Sequence, residues 1–114
     1  MDINETVTDG LATLALKGRF LGDKEADEFA EAIRNCLGKG NRKILIDLAG
    51  LDYLNSMGLG ALLGGYLKTK RAGGLLVFAN GNARVTELLS MTKTDTAVPV
   101  YATIEAAKKM LVIE

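Results

Sequence analysis

The sequence predicts an α/β fold: a mixed sheet of four or five strands with an N-terminal β-hairpin, flanked by about four helices. Short runs of branched apolar residues, such as "KILI", alternate along the chain with longer segments whose apolar residues recur at helical spacing. Strands joined through helices pair in parallel, whereas the first two strands are close enough in sequence to form a hairpin. With 114 residues, 48% of them hydrophobic, the chain predicts one domain spanning residues 1–114.

The first third of the chain predicts the hairpin and then a helix. Asp9 and Gly10 stand between the segments "ETVT" and "LATLAL", and this dipeptide is typical of a tight hairpin turn because glycine accepts a positive φ. From Asp23 onward apolar residues take helical spacing, and we expect Asp23 to cap this helix and Gly38 to end it. The apolar residues are Ala26, Phe29, Ala30, Ile33 and Leu37.

The remaining strands are predicted from short apolar runs. The segment "KILIDLAG" reads as a buried strand that ends at a glycine, and residues 51–54 alternate like a further short strand. The segment "GLLVFAN" predicts the next strand, and a helix follows behind Asn82. Pro99 in "AVPVY" has no N–H to donate, so we expect the last strand at a sheet edge. Thr103 is then expected to cap a terminal helix.

The segment "LDYLNSMGLGALLGGYLKTK", residues 51–70, combines a helical pattern with glycines that oppose it. One helical face carries Leu59, Leu62, Leu63, Tyr66 and Leu67. The glycines are Gly58, Gly60, Gly64 and Gly65. Each glycine inside a helix costs about 1 kcal/mol relative to alanine. We therefore expect another backbone, from the same domain or from a partner protein, to approach this helix closely.

Composition argues against several classes of function. Lys+Arg and Asp+Glu are both 14, so the formal net charge is zero and no basic field is predicted for nucleic acid. The single cysteine, Cys36, can form no internal disulfide, and the acidic N-terminal residues differ from a secretion signal, so we expect a cytoplasmic protein. No apolar run approaches the roughly 20 residues of a membrane span. Without histidine, the chain predicts neither a metal site nor a cofactor.

Ser56 directly precedes the glycine-bearing helix, and several roles are open to it. As a simple N-cap, its hydroxyl would accept a hydrogen bond from a first-turn N–H. As a nucleophile it would need a base, and the chain has neither a histidine nor a G-x-S-x-G elbow. The run "GLGALLG" offers G-x-G-x-x-x-G where a dinucleotide fingerprint needs G-x-G-x-x-G. The residues therefore favour a protein that is not an enzyme.

The stretch "ILIDLAGLDYLNSMGLGALLGGYLKTKRAGG" resembles the core segment of the STAS domain family, typified by bacterial anti-sigma factor antagonists. The likeness extends over nearly the whole chain, from "LKGRF" through "GGLLVFANGNARVTELLSMT" to the closing helix. In that family a buried strand ends in Asp-Leu, and a D-S-[ST]-G loop opens the next helix. The first serine of that loop is the phosphoacceptor of a partner kinase, and Ser56 occupies its position. The resemblance thus implies a STAS-like sheet and a binding switch.

The resemblance also implies a partner surface around Ser56. Its expected members are Asn55, Met57, Gly58, Leu59, Gly60, Arg19 and Asp23. Asp47 ends the buried strand and is expected to support the phosphorylation site by hydrogen bonds to the loop amides. The loop departs from the family pattern because Asn55 replaces its aspartate and Met57 its second hydroxyl residue. The partner implied is an anti-sigma factor that is also a serine kinase.

A second function stays open for the same domain. It is a STAS-like subunit of a signalling scaffold or a transport complex, which binds a non-kinase partner without a phosphoswitch. Phosphorylation of Ser56 distinguishes the two functions. The sequence does not indicate whether the chain is a monomer or a weak dimer.

Overall fold

The computed structural model describes residues 1–113, with Ile113 described by its backbone alone. The strands are β1 (Asp2–Thr8), β2 (Leu11–Phe20), β3 (Lys43–Leu54), β4 (Leu75–Ala79) and β5 (Val100–Tyr101). The helices are α1 (Asp23–Gly38), α2 (Ser56–Arg71), α3 (Ala83–Met91), α4 (Thr94–Ala97) and α5 (Ile104–Ile113). The strands form one sheet in the order β1-β2-β3-β4-β5, in which β1 is antiparallel to β2 and the other neighbours are parallel. The predicted α/β fold with a mixed sheet is confirmed.

The turn between β1 and β2 has the backbone conformation predicted from its two residues. Asp9 has φ 52° and Gly10 has φ 79°, so both take the left-handed region that a type I′ turn requires. Thr8 pairs directly with Leu11 across the turn. The N-terminal hairpin is therefore confirmed, and it places β1 at one edge of the sheet.

β3 runs without a break through the two strands predicted before and after Gly50. This glycine, expected to end a strand, lies inside β3. A β-carbon on Gly50 would come within 2.8 Å of the carbonyl oxygen of Leu16 on β2. Its neighbourhood is also where the register between β2 and β3 shifts, between Ala15 and Lys17. The prediction of a separate strand at residues 51–54 is wrong because the glycine permits close strand approach instead of ending the strand.

Alternate residues of the central strands pack into two hydrophobic layers. On one face of the sheet, Ile44 and Ile46 belong to a core to which α1, α2 and α3 contribute. On the other face, Leu45 packs with Ala107 and Leu111 of α5. Successive strand residues point to opposite faces, so a strand covered on both sides must be apolar throughout. This explains the unbroken apolar run at the start of β3.

The helix caps agree with the sequence at two helices and differ at α1. The N-cap of α1 is Gly22, whose backbone N–H donates to Oε1 of Glu25 at 2.8 Å. Asp23 is the first helical residue, so its predicted capping role is wrong, and Glu25 satisfies the helix start instead. Asn82 and Thr103 cap α3 and α5 as predicted. Their side-chain oxygens accept first-turn N–H groups at 2.9 Å and 3.1 Å.

The last strand is shorter than predicted and lies at the sheet edge. β5 consists of Val100 and Tyr101, and Pro99 immediately precedes it. Pro99 still contributes its carbonyl oxygen, which accepts the N–H of Phe78 at 3.0 Å, because proline lacks only the donor. The sequence pattern does not predict α4, a single turn that follows Lys93 in a left-handed conformation with φ 59°.

Candidate partner-binding site

The helix that carries Ser56 begins at the edge where parallel strands end. Phe20 and Leu54, the last residues of β2 and β3, pair with each other, and α2 follows directly. Asn55 is the N-cap of α2, since its backbone is extended and its Oδ1 accepts the N–H of Gly58 at 3.0 Å. Ser56 is the first helical residue and is exposed. The N-cap role open to Ser56 therefore belongs to Asn55.

Asn55 also ties the start of α2 to the end of β2. Its Nδ2 donates to the carbonyl oxygen of Leu21 at 2.9 Å, and its backbone N–H donates to that of Phe20 at 3.4 Å. One side chain therefore satisfies a helix amide with its oxygen and a loop carbonyl with its nitrogen. The residue is half-buried. Sequence reasoning missed this positioning role, and contact between Asn55 and a partner stays a prediction.

Gly58 and Leu59, both predicted to contact a partner, point into the domain. A β-carbon on Gly58 would lie 2.6 Å from the carbonyl oxygen of Phe20 and 2.6 Å from Cδ1 of Leu54. Leu59 is 8% exposed and belongs to the core. Their burial contradicts direct contact with a partner, because the close approach of this helix start is to its own sheet. The two residues hold α2 in place beneath the surface.

Gly60 lies on the exposed side of α2, away from the core. Apart from their chain neighbours and the adjacent backbone of α2 itself, nothing in the described chain lies within 4 Å of the position that a β-carbon on Gly60 or Gly64 would take. Met57 is 49% exposed and stands one turn before Gly60. We name Ser56, Met57 and Gly60 together the Ser56 surface. Because Gly60 has no side chain, a partner could approach the backbone of α2 closely there.

Arg19 and Asp23 lie at the same edge of the sheet. Arg19 pairs with Tyr53 across β2 and β3, and its guanidinium carbon is 5.5 Å from the centroid of the tyrosine ring. Asp23 is exposed at the start of α1, which begins where β2 ends. Both residues thus lie at the end of the domain that carries Ser56. Their contact with a partner stays a prediction.

Asp47 makes hydrogen bonds other than those predicted. Its Oδ1 accepts the backbone N–H of Ala49 at 3.0 Å and the Nδ2 of Asn80 at 3.4 Å. The predicted bonds to the Ser56 loop are wrong, because β3 continues from Asp47 to Leu54 before the loop begins. An extended strand rises about 3.3 Å per residue, which separates the carboxylate from the loop. Asp47 instead connects β3 to the segment that follows β4.

The sequence pattern does not predict a groove that adjoins the end of β3 and α3. Its volume is about 290 Å³, and it is lined by Tyr53, Leu54, Arg84, Glu87, Leu88 and Met91. Met91 is 73% exposed and Tyr53 is 39% exposed. One sequence signal could have indicated this groove: large apolar residues stand at the ends of β3 and α3, outside the apolar stripes that fill the core. We name this feature the Tyr53–Met91 groove.

The electrostatics at the start of α2 favour an added negative charge. The first backbone N–H groups of a helix have no acceptor within the helix. The side chain of Asn55 accepts the N–H of Gly58. The N–H groups of Ser56 and Met57 can therefore donate to an anion. The structure describes every residue of α2. The first turn of this helix contains no acidic residue, and its last turn contains basic residues. The positive end of the helix dipole therefore stands at Ser56 without a competing carboxylate in that turn.

Cys36 lies outside this site and is buried in the core. Burial raises the pKa of its thiol to about 11, and the Glu5 carboxylate adds to the rise. The thiol therefore stays protonated at neutral pH and is a poor nucleophile. Within residues 1–113, no group of three or more His, Cys, Asp or Glu residues could hold a metal ion. No helix in the same range is long and apolar enough to cross a bilayer.

Sequence comparison relates the chain to known proteins. A family model for the STAS domain matches residues 2–107. A Thermotoga neapolitana protein, named as a candidate anti-sigma factor antagonist, is 34% identical to this chain over 71 residues. The aligned region covers 62% of this chain and 63% of that relative, so the similarity spans less than two thirds of either protein.

Solved structures share the fold at lower sequence identity. An anti-sigma factor antagonist from Mycobacterium paratuberculosis superposes with a TM-score of 0.84 at 21% identity, over 96% of this chain and 92% of that one. The anti-sigma factor antagonist SpoIIAA in its unphosphorylated form gives 0.70 at 19% identity, over 96% of each chain. The phosphorylated form of this Bacillus cell fate determinant gives 0.71 at 18% identity, over 96% of this chain and 98% of that one. At these identities the likeness shows the fold alone.

Proposed function

The chain belongs to the STAS domain family, and from that premise we propose that it is an anti-sigma factor antagonist whose partner is also a serine kinase. The unphosphorylated protein binds this partner, and phosphate on Ser56 releases it. The observation that carries the proposal is the exposed position of Ser56 at the first residue of α2, between the capping Asn55 and the exposed Met57. Similarity to a protein named as a candidate anti-sigma factor antagonist supports it.

A phosphate on Ser56 is compatible with the folded domain. A phosphoserine carries about −1.5 to −2 charges, and at this position it would stand beside first-turn amides, where the helix dipole favours an anion. Asn55 provides the cap, so modification of Ser56 leaves the bonds from Asn55 to Gly58 and Leu21 in place. Phosphorylation therefore changes the surface that a partner meets and preserves the fold.

The partner would bury apolar side chains of the Ser56 surface and of the Tyr53–Met91 groove, which includes the two residues that precede Asn55. Met57 is exposed on α2, and Tyr53 and Met91 line the adjoining groove. An apolar interface of this kind is sensitive to phosphate, because docking would have to remove water from a strongly hydrated anion. Arg19 and Asp23 extend the proposed contact with charged groups at the same edge.

The proposed protein is a cytoplasmic binding module rather than an enzyme, and it acts as a single domain spanning residues 1–114. The alternative is a STAS-like subunit of a signalling scaffold or transport complex that binds a non-kinase partner constitutively. Met57, which stands where the resembling loops have a hydroxyl residue, favours this alternative because it adds apolar contact area beside Ser56. Both functions use the same surface, and only the first requires chemistry at Ser56.

Phosphopeptide mapping of the protein isolated from its own cells tests the proposal. The chain contains two serines, Ser56 and Ser90, and both are exposed, so Ser90 is an internal control for unspecific phosphorylation. We expect phosphate on Ser56 and its loss in Ser56→Ala. If only other residues carry phosphate while an active kinase partner is bound, the proposal is wrong. An unmodified Ser56 with a non-kinase partner establishes the constitutive alternative.

Partner release gives a second test of the switch. Ser56→Glu adds a negative charge at the proposed switch, whereas Ala106→Glu adds the same charge to an exposed position of α5, on the other face of the sheet. We expect Ser56→Glu to weaken binding of the purified anti-sigma factor by about tenfold or more, and Ala106→Glu to leave it unchanged. Equal affinities for the two variants contradict a phosphate-controlled interface at Ser56.

A further inference from the structure

A second groove lies between β1 and α1, away from the site described above. Its volume is about 310 Å³, and it is lined by Met1, Asp2, Ile3, Glu5, Leu14, Glu28, Glu31, Ala32 and Asn35. The lining residues of α1 recur at helical spacing and therefore form one face of that helix. The groove shares no lining residue with the Ser56 surface or with the Tyr53–Met91 groove.

The charged groups that line this groove are mostly carboxylates. Asp2 and Glu31 are exposed at its surface. Glu5 is already paired with Nζ of Lys39 at 3.3 Å. Met1 also lines the groove and adds an apolar side chain to it. A cationic ligand group would therefore find an attractive potential here.

Glu28, which lines the same groove and is half-buried, provides a separate observation. Its Oε1 is buried from solvent and, among the described residues, has no hydrogen-bond partner. Buried carboxylate oxygens in folded proteins ordinarily accept a hydrogen bond, because burial without one destabilises the fold. Oε1 therefore leaves the Glu28 carboxylate with unused hydrogen-bonding capacity. Among neighbouring carboxylates, a positively charged donor fits best.

β1 offers an occupant of the groove a free backbone edge. Among the described strands β1 pairs with β2 alone, so half of its backbone N–H and C=O groups face away from the sheet. Ile3 and Glu5 of β1 line the groove. A strand added beside β1 would send alternate side chains toward the same side of the sheet. The sequence of β1, "DINETVT", contains two acids and no base.

We propose that β1 and this groove bind an extended basic segment of a partner protein. The segment adds to the sheet as a strand beside β1, and one of its lysine or arginine side chains pairs with the carboxylate of Glu28. A second copy of this chain does not fit, because its own β1 would bring Asp2 and Glu5 against the same carboxylates. The groove is separate from Ser56, so the domain can hold two partners.

A synthetic peptide tests this proposal on the intact protein. The probe is the acetylated and amidated heptapeptide KTKTKTK, which matches β1 in length and places its lysines on one face of a strand. We expect NMR shift changes of amides in β1 and on the groove face of α1, and none with ETETETE. Two N-methylated forms of the peptide, one methylated at the threonines and one at the lysines, test strand addition. One of them should bind about tenfold more weakly or not at all, because only alternate residues of an added strand direct their N–H groups at β1.

Variants of the groove complete the test. Glu28→Gln and Glu31→Gln should each weaken binding of KTKTKTK, by about tenfold for Glu28→Gln, whereas Glu105→Gln on α5 should not. Glu31 and Glu105 are exposed, so their replacement keeps the test valid even if Glu28→Gln unfolds. The proposal is overturned if the groove variants bind like the parent, or if methylation has no effect. Shift changes confined to the Ser56 surface, or dimerisation through β1, overturn it equally.

Discussion

The side-chain nitrogen of Asn55 donates to the carbonyl oxygen of Leu21 at 2.9 Å, while its side-chain oxygen caps α2. Asn82 repeats this arrangement at α3, which it caps while donating to the carbonyl oxygen of Leu51 at 3.1 Å. Each asparagine therefore fastens a helix start to a neighbouring chain segment. An ionised aspartate could accept the capping bond but has no donor for the carbonyl. The hydrogen bond to Leu21 is therefore a structural reason for asparagine at position 55, where the resembling loops have aspartate.

Removing the Asn55 clamp should destabilise the domain. Asn55→Ala should lower the free energy of unfolding by about 1–2 kcal/mol, because it removes a helix cap and the donor for Leu21. Asn55→Asp keeps the cap and should cost less. Urea unfolding measures both variants, with Asn82→Ala as the matched loss of the same arrangement at α3. An Asn55→Ala variant as stable as the parent would show that the clamp contributes nothing.

Alanine at Gly58 and at Gly60 should change stability in opposite directions. A β-carbon at Gly58 would stand 2.6 Å from the carbonyl oxygen of Phe20, so Gly58→Ala should destabilise the domain by about 1–3 kcal/mol. Gly60 has open space around it, so Gly60→Ala should stabilise α2 by up to about 1 kcal/mol. Thermal unfolding of the two variants measures the change in stability, and an equal change in both would contradict the described packing. If the more stable Gly60→Ala variant binds the partner more weakly, then it is the partner that approaches α2 closely at Gly60.

Met57 should matter for binding and little for folding. Met57 and Leu67 lie on the same helix and are each 49% exposed, so Leu67→Ser is a matched control for Met57→Ser. Loss of an apolar anchor commonly costs about 1–2 kcal/mol at an interface, so Met57→Ser should bind the partner about five- to thirtyfold more weakly. Calorimetry with the purified partner measures the difference. Equal loss in both variants would mean that the interface extends along α2 and is not centred on Ser56.

The buried thiol of Cys36 should make stability depend on pH in alkaline solution. Burial, and then the Glu5 carboxylate, raise its pKa from 9.0 to about 11 in the folded state. Between pH 9 and 11 the unfolded chain releases a proton that the folded chain retains, so its contribution to stability is complete below pH 9 and falls as pH rises toward 11. Cys36→Ala removes this contribution. Urea unfolding across that range should show the parent losing its advantage over the variant, and a constant difference would refute the assignment.

Local signals in the sequence were sufficient for much of the fold. The sequence predicted the Asp9-Gly10 turn, the caps at Asn82 and Thr103, and the edge position of the strand after Pro99. Each of these features depends on φ preferences or hydrogen bonds within a few residues. The cap of α1 was misplaced by one residue. Glycine and aspartate are both common at the N-cap of a helix, so composition did not decide between Gly22 and Asp23. The hydrogen bond from the N–H of Gly22 to Glu25 shows that Gly22 is the cap.

The candidate site divides in the same way. The sequence by itself determined that a serine opens a glycine-bearing helix after a buried strand, and a family-like loop placed Ser56 there. Only the tertiary structure decided which residues of that loop face outward. Gly58 and Gly60 are alike in sequence, yet one packs against the carbonyl of Phe20 and the other faces open space. The difference depends on the distance to a strand that lies far away in sequence, and local propensity contains no information about that distance.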